Sequence, residues 1–522
     1  MAETIAAVAA RKPDDAPALI DERGTTTWRE LDERVNRLIN ALRAAGLATG
    51  DTVAVMSGNR RESYELLGAA GHAGWTQVPV NWHWVADELA YVLDNSDARA
   101  LFVEAPYLDV ARDALTRLGG AAPPILVAID PGGDADDFLE YEDLLASGSP
   151  DEPPDQTMGG PMFYTSGTTG RPKGVRSNVL APGTPPSVLP FMAEAFGQQL
   201  GAPTDGVTLL CGPLYHSAQW AFSVYPMLLG GMIVMRHRFN PEEVLDLIDE
   251  YQVTNVHLVP TQFVRLLRVD DERRRAFSGE TLHVVWHGAA PCSPEVKRRM
   301  IEWWGPKLVE YYGGTEGAIM STITSEEWLT HPDSVGKPWS TVEVFVRNED
   351  GTPAPPGEPG TLYVRNLLGV DFQYHKDPEK TAGAHLEAGV FTLGDIGYLD
   401  EEGYLHLSDR RIDMIISGGV NIYPAEIEGV LAAHPKVRDV AVFGIPDEEF
   451  GEQVKAAIAV EAPHEPTDEL AAELVAYCRA HLAGYKAPRS IDFHDELPRQ
   501  PTGKLYKRLL RDQYWDAAGR QI

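Results

Sequence analysis

The chain has 522 residues, of which 43% are hydrophobic and 23% charged, a balance that excludes fibrous and largely disordered proteins. Lysine and arginine total 45 against 77 aspartate and glutamate residues, which gives a formal net charge of −32. Because a protein with this negative charge repels phosphate backbones, nucleic acid is not an expected partner. At roughly 100–200 residues per domain, the length predicts three or four structural units.

The cysteines and the apolar stretches narrow the class further. Cys211, Cys292 and Cys478 lie far apart and form no C-x-x-C pair, so neither a disulfide framework nor a cysteine zinc site is expected. No stretch reaches the ~20 apolar residues of a transmembrane helix. The first twelve residues lack the order of a signal peptide. We therefore expect a soluble, cytoplasmic protein without a membrane span, and the oligomeric state stays open.

Helical and extended patterns alternate along most of the chain. Thr27 and Glu30 form a capping box ahead of apolar residues at helical spacing, and a strand is predicted at Thr52–Met56. Asn240 and Pro241 begin a second such helix, which a β-rich stretch follows directly. This alternation predicts an α/β fold with largely parallel sheets.

The pattern changes in the last third of the chain. Short strands separated by glycine and proline run from Val342 to Leu407 and predict a β-rich subdomain. A further α/β unit follows, with a strand at 440–443 and a helix around 470–478. We predict an N-terminal domain of αβ-layered sheets plus the β-rich subdomain, residues 1–411, and a small, mobile α+β domain, residues 412–522.

The most informative segment is residues 164–174, which read YTSGTTGRPKG. Its glycines allow tight turns and close approach of a ligand to the backbone. Backbone N–H groups, threonine and serine hydroxyls and two cations together suit a polyphosphate. The segment is not a Walker loop, because Pro172 stands where that motif has glycine.

This segment resembles the signature of the adenylate-forming superfamily: acyl-CoA synthetases, peptide-synthetase adenylation domains and beetle luciferases. Further motifs of that superfamily follow in order over nearly the whole chain. They are GAAP at 288–291, YGGTE at 312–316, TLGD at 392–395, DR at 409–410, SGG at 417–419 with NIYP at 421–424, and PTGK at 501–504.

The resemblance implies an ATP site in which Tyr312 stacks on adenine, Asp395 binds the ribose hydroxyls and Glu316 places Mg²⁺. It also implies that Tyr311 belongs to this site. The implied ATP-binding residues are Thr165, Ser166, Gly167, Thr168, Thr169, Gly170, Lys173, Gly288, Ala289, Ala290, Pro291, Tyr311, Tyr312, Gly313, Thr315, Asp395 and Arg410.

The resemblance also implies the catalytic residues for attack of a carboxylate on the α-phosphorus of ATP. Lys504 would bridge the carboxylate and the α-phosphate, since its ammonium is a compact charge on a flexible stem. Glu316 would act through magnesium, Arg410 would supply a permanent cation, and His216 would face the acid. The main problem of this chemistry is neutralising two anions that must meet.

The predicted acid pocket is apolar. Its residues are His216, Trp220, Gly313, Gly314, Ala318 and Met320. No carboxylate occurs between Leu214 and Trp220, where amino-acid-activating relatives tend to carry aspartate, so an α-amino acid is not expected. The identity of the acid stays open.

Coenzyme A is the predicted acceptor, and the resemblance implies that Gly418, Gly419, Phe450 and Lys486 contact it. The hinge between the domains is predicted at Ile412, where relatives usually have aspartate or lysine. Because isoleucine is unusual there, the balance of the two half-reactions is left open.

The resemblance implies an acid–CoA ligase that uses ATP, Mg²⁺ and CoA and alternates between two domain arrangements. The alternatives are an adenylate former with another acceptor, such as a carrier protein or the nitrite of diazotases, an enzyme of the thioesterification half-reaction alone, and a luciferase-like oxygenase.

Overall fold

The computed structural model describes the chain except for residues 1–4 and 518–522 and a set of internal gaps. The described residues are 5–133, 135–165, 172–179, 184–290, 292–348, 350–410, 413–417, 420–447, 450–482, 484–499 and 505–517. Only the backbone is described for residues 318, 409, 410, 416, 420, 421, 451, 516 and 517.

Two large sheets form the centre of the N-terminal part. The first has six parallel strands in the order Leu139–Glu140, Ile125–Ile129, Ala98–Glu104, Thr52–Met56, Thr76–Val80 and Gly160–Pro161. The second has nine strands in the order Lys337–Pro338, Ala318–Thr324, Leu308–Gly314, Val284–His287, Asn255–Leu258, Val207–Leu210, Met232–Met235, Pro17–Asp21 and Gly24–Thr27. The predicted strand at Thr52–Met56 is confirmed.

Helices cover both faces of the two sheets. Trp28–Ala44, Arg61–Ala73, Val188–Leu200 and Ser217–Leu228 contribute to the apolar cluster between the sheets. Ala86–Asn95 and Leu108–Leu118 cover the outer face of the six-stranded sheet. Pro241–Glu250, Pro260–Leu267 and Pro294–Trp304 cover the outer face of the nine-stranded sheet. Parallel strands buried on both faces require this layering.

Local sequence accounts for where the two predicted helices begin. Thr27 and Glu30 form the predicted capping box of Trp28–Ala44, whose apolar positions are buried. The Asn240 side chain accepts hydrogen bonds from the backbone N–H groups of Glu242 and Glu243 at the start of Pro241–Glu250.

The remaining helices are short or lie in other units. They are Ile5–Ala9, Tyr141–Ser147, Asp271–Ala276, Ser325–Thr330, Pro378–Ala384, Pro424–Ala432, Asp468–His481 and Lys507–Ala517, with 3₁₀ turns at Ala105–Tyr107 and Gly119–Ala121. No helix in the described part of the chain is long and apolar enough to cross a membrane.

The predicted β-rich subdomain is an antiparallel six-stranded sheet. Its strands are Val342–Arg347, Gly360–Asn366, His385–Glu387, Val390–Phe391, Asp395–Leu399 and Leu405–Arg410. The sheet runs three residues past the predicted end at Leu407. Its core includes Tyr312 and Met320 of the nine-stranded sheet, so the two sheets meet beside the YGGTE segment.

A three-stranded sheet joins the phosphate-loop segment to the β-rich part. Phe163–Thr165 pairs with Lys173–Ser177, which pairs in turn with Phe372–Tyr374. Both pairings are antiparallel, and Thr165 lies opposite Lys173.

The C-terminal unit has a five-stranded sheet of its own. Its strands are Ile415–Ser417, Val420–Ile422, Val437–Asp447, Gly451–Val460 and Ser490–Phe493. Pro424–Ala432 and Asp468–His481 pack on one face and Lys507–Ala517 on the other. The fold class is confirmed; the boundary between residues 411 and 412 lies outside the described residues and, like the mobility of the small domain, stays a prediction.

Candidate active site

The strands on either side of the predicted phosphate loop pair with each other as a hairpin. Thr165 ends one strand and Lys173 begins the next, and the two are cross-strand neighbours. The hairpin therefore returns the chain to its starting point with Thr165 and Lys173 at its base. Ser166, Gly167, Thr168, Thr169 and Gly170 lie outside the described residues, so their contacts with phosphate stay predictions.

Lys173 lies close to several charged groups. Its ammonium lies 5.3 Å from the ring centre of Tyr374, whose hydroxyl donates to Glu316 Oε1 over 3.1 Å. Burial, followed by the neighbouring Lys380, lowers the pKa of Lys173 to about 8, and the carboxylates of Glu316 and Asp377 oppose that shift. Two lysines and one predicted metal-binding carboxylate therefore lie around the base of the hairpin.

The predicted adenine and ribose residues contact each other. The buried Tyr312 hydroxyl donates to Asp395 Oδ2 over 2.7 Å, which joins the nine-stranded sheet to the β-rich sheet. Asp395 is also the cross-strand neighbour of Arg410. The structure thus places all three at one junction, although the Arg410 side chain lies outside its description.

The GAAP segment follows the strand Val284–His287 and packs closely on the next strand. A Cβ on Gly288 would lie 2.7 Å from both the ring and the carbonyl oxygen of Tyr311, so a larger residue would displace that strand. Ala289 has φ +63° and Ala290 follows it. Pro291 lies outside the described residues.

Tyr311 and Tyr312 point to opposite faces of their strand, as successive strand residues do. The Tyr311 hydroxyl lies 3.0 Å from Nε2 of the buried His257, within the cluster between the large sheets. Tyr312 instead joins the β-rich core. The prediction that Tyr311 contacts ATP is untested, but the structure places its side chain away from Asp395.

The predicted acid residues come from two elements. His216 precedes the helix Ser217–Leu228 and its ring lies 4.4 Å from that of Tyr215. Trp220, one turn into this helix, meets Phe163 edge to face at 6.1 Å. Trp220 therefore lies beside the strand that leads into the predicted phosphate loop.

The other predicted acid residues lie in the YGGTE strand and in the next strand. Gly313 and Gly314 are partly exposed beyond a bulge in the strand, and Thr315 Oγ1 lies 2.8 Å from Ser217 Oγ. Met320 is buried with Tyr312, whereas Trp220 belongs to the cluster between the large sheets. Ala318 pairs with Gly314, and its side chain is outside the description. Membership of Met320 and Ala318 in the acid pocket stays a prediction.

The predicted CoA residues that are described lie in the C-terminal unit. The Lys486 ammonium pairs with Glu426 at 2.6 Å, and the Arg489 guanidinium lies 4.4 Å from the ring centre of Phe450. Gly418, Gly419, the hinge residue Ile412 and the catalytic Lys504 lie outside the described residues, and their roles stay predictions.

The residues around Glu316 fit a magnesium ion held partly by substrate. Among the described residues, no group of three or more histidine, cysteine, aspartate or glutamate side chains could hold a metal alone. Magnesium bound with nucleotides commonly uses one or two carboxylates plus phosphate oxygens and water. Glu316 provides such a carboxylate beside the phosphate-loop hairpin.

Three residues of the region were missed from the sequence: Lys380, Tyr374 and Tyr215. Lys380 and Tyr374 lie more than 200 residues from Lys173 along the chain, and only strand pairing brings them near it. Tyr215 precedes His216 directly, but its burial depends on the strands packed beside it. No local pattern identified any of the three.

Comparisons with known proteins identify the family. A model of the AMP-binding enzyme family matches residues 5–369, and one of the AMP-binding enzyme C-terminal domain matches residues 426–504. A feruloyl-CoA synthase of an Amycolatopsis species is 34% identical over 511 residues, 97% of each chain. The fatty acid–[acyl-carrier-protein] ligase ScoC of Streptomyces coeruleorubidus is 30% identical over 512 residues, 97% of this chain and 95% of that relative.

A solved structure agrees with this assignment. The o-succinylbenzoate CoA synthetase MenE of Bacillus subtilis, in complex with the acyl-adenylate intermediate OSB-AMP, matches with a TM-score of 0.83 and 27% identity over 98% of each chain. The resemblance predicted from the motifs is confirmed. The chain belongs to the AMP-binding enzyme family, that is, to the adenylate-forming superfamily in its acyl-CoA ligase branch.

Proposed function

We propose that this protein joins a carboxylic acid to coenzyme A in two steps. The acid carboxylate attacks the α-phosphorus of ATP, which forms an acyl-adenylate and releases pyrophosphate. The CoA thiolate then attacks the acyl carbon and releases AMP. The thiol proton leaves to solvent or a base, so charge and atoms balance over the two steps.

The observation that supports adenylation most directly is the Tyr312–Asp395 hydrogen bond at the junction of two sheets. It fixes the position of an aromatic ring relative to a carboxylate. Such preorganised groups need little rearrangement when a nucleoside binds. The α-phosphorus would then lie towards Thr165 and Lys173, which begin and end the phosphate loop.

Electrostatic neutralisation is the main task of the first step, because carboxylate and triphosphate repel each other. Lys173 and Lys380 supply cations beside the loop, and Lys504 would supply another between the two reacting groups. Glu316 would hold Mg²⁺, which supplies further charge neutralisation when bound.

The names of two relatives and a lysine of the C-terminal unit support CoA as the acyl acceptor. The Amycolatopsis relative is named a CoA synthase, and MenE a CoA synthetase. Lys486 would release Glu426 and pair with a CoA phosphate, an exchange of one exposed ion pair for another with little net cost. A carrier-protein thiol is the second candidate, because ScoC is named an acyl-carrier-protein ligase.

The test is a panel of carboxylic acids assayed for ATP-dependent pyrophosphate release, with CoA, with a phosphopantetheinylated carrier protein, or with neither. We expect AMP and an acyl-CoA thioester in equal amounts when CoA is present. If a thioester forms only on the carrier protein, the carrier protein and not CoA is the acceptor. Absence of pyrophosphate release with every acid would overturn adenylation. Transfer from a supplied acyl-adenylate would then identify an enzyme of the second half-reaction.

A further inference from the structure

A small cavity lies beside the predicted acid residues. It measures about 20 Å³ and is lined from three directions: by Tyr215 and Trp220, by Ser57 and Ser63, and by Gln77. About 10–15 Å³ of such volume accommodates one water molecule, so the cavity has room for one or two small polar atoms. Trp220 belongs both to its wall and to the predicted acid pocket.

Two buried hydrogen-bond donors belong to residues that line this cavity and have no acceptor among the described residues. They are the hydroxyl of Tyr215 and Nε1 of Trp220, whose residues are only 7% and 6% exposed. A buried donor without a partner is energetically unfavourable, so a ligand atom that accepts a hydrogen bond from it gains affinity. Burial also raises the pKa of Tyr215, so its hydroxyl keeps the proton that it can donate.

The serine hydroxyls of the lining are already engaged. Ser57 Oγ and Ser63 Oγ donate to the Gly58 carbonyl over 3.0 and 3.1 Å. Their oxygens keep lone pairs, whereas Tyr215 and Trp220 keep protons. Every residue that lines the cavity is uncharged, which disfavours a second carboxylate or an ammonium group there.

We propose that this cavity is a subsite for a neutral oxygen on the acid substrate, at the end remote from the reacting carboxylate. A hydroxyl, alkoxy or keto oxygen accepts from the Tyr215 hydroxyl and the Trp220 indole N–H. A hydroxyl also donates to a serine oxygen. This inference rests on the proposed function, because it assigns the substrate class of the same site: oxygenated acids in preference to their deoxy counterparts.

The experiment measures binding and does not depend on turnover. Titration calorimetry in the presence of AMP compares matched acids that differ only in the remote oxygen: 4-hydroxycinnamate with cinnamate, and 6-hydroxyhexanoate with hexanoate. We expect at least one oxygenated acid to bind about tenfold or more tightly than its partner, because the deoxy acid leaves both donors unpaired. In Tyr215→Phe and Trp220→Phe, that ratio falls to within about threefold, since each loses one donor.

Tyr64→Phe is the matched control. Tyr64 is fully buried beside Ser63, but it is not among the residues that line the cavity. Its variant keeps the wild-type ratio. If Tyr215→Phe does not fold, the affinity ratio in Trp220→Phe tests the subsite. If neither variant folds, the ratio in the wild-type protein tests it alone.

The outcomes separate this inference from the proposed function. A wild-type ratio near one in both pairs, or a ratio that both cavity variants retain, overturns the subsite and leaves ordered water as its occupant. That result would leave the proposed formation of acyl-CoA standing. Conversely, tight oxygen-dependent binding without pyrophosphate release would support the subsite and overturn ATP-dependent ligation.

Discussion

The predicted nucleotide side of the site and the cavity beside Trp220 differ in how their polar groups are hydrogen-bonded. On the nucleotide side, Tyr312 bonds to Asp395 and Tyr374 bonds to Glu316. At the cavity, the hydroxyl of Tyr215 and the indole N–H of Trp220 have no acceptor among the described residues. The first region is held by its own hydrogen bonds, whereas two donors of the second have no partner among the described residues. Groups that are already bonded suit the binding of ATP, which is used with every acid. Donors without a partner suit the selection of one acid over another.

The largest effect expected is that of Lys504→Ala. Removing a cation that acts only where carboxylate meets phosphate reduces pyrophosphate release by about 10²–10³, the usual loss for one such electrostatic contact. Thiol transfer to a supplied acyl-adenylate is largely spared. The control is Lys436→Ala, which removes a lysine of the same unit whose ammonium pairs with Glu473 at 2.7 Å. Wild-type pyrophosphate release from the Lys504 variant would exclude Lys504 from adenylation.

Tyr312→Phe tests whether ATP binding depends on the hydrogen bond between Tyr312 and Asp395. The variant keeps the aromatic face but frees Asp395, so we expect the KM for ATP to rise by about tenfold, as for loss of one bond to a charged group. Tyr141→Phe is the control, because its buried hydroxyl also donates to a carboxylate, Glu65 Oε2 over 2.7 Å, and Tyr141 is not among the predicted site residues. Steady-state kinetics and thermal melts separate binding from stability. Equal KM changes in both variants would contradict a specific role for Tyr312.

The pH dependence of ATP use should follow Lys173. Its pKa is lowered to about 8, so the ammonium is charged below that pH and loses its charge above it. We expect kcat/KM for ATP, which reports the free enzyme, to fall by up to about tenfold between pH 7 and 9. Lys380, Glu316 and Asp377 also face this group. Lys173→Arg stays charged and should flatten the decline; an identical decline in that variant would assign it to another group.

The smallest effect is expected from removing an ion pair between the N-terminal part and the C-terminal unit. Arg268 Nη2 lies 2.7 Å from Glu461 Oε2, and both side chains are more than a third exposed. Arg268→Ala should lower the free energy of unfolding by no more than about 1 kcal/mol. Urea unfolding at low and high salt measures the change, which should shrink as salt screens the pair. A larger, salt-independent loss would show that Arg268 contributes by packing.

Local patterns predicted much of the fold. The capping box at Thr27 and the asparagine cap at Asn240 mark where two helices begin, because caps use side chains within three residues of the backbone groups that they bond. The change to short strands near Val342 likewise marked the start of the β-rich sheet. Ordered motifs identified the family because the chemistry of each lies in a short contiguous segment.

Contacts distant in sequence were decided by tertiary structure. The motifs assigned Tyr312 and Asp395 to one nucleotide, but the hydrogen bond between them spans 83 residues and depends on two sheets meeting. Lys380 approaches Lys173 because one strand of the hairpin pairs with Phe372–Tyr374. The predicted roles of Lys504, Ile412 and the phosphate-loop residues Ser166–Gly170 rest on sequence alone, since these residues lie outside the described ranges.

The sequence by itself determined the family and the fold class and predicted the residue types at the reacting centre, because these follow from short-range pattern and motif order. Only the tertiary structure decided which polar groups are paired and which are not. Pairing depends on distances of about 3 Å between side chains from separate elements, which periodicity and composition do not specify. Tyr215 illustrates this: its sequence neighbourhood marks it as the residue before His216, and only packing buries its hydroxyl without an acceptor among the described residues.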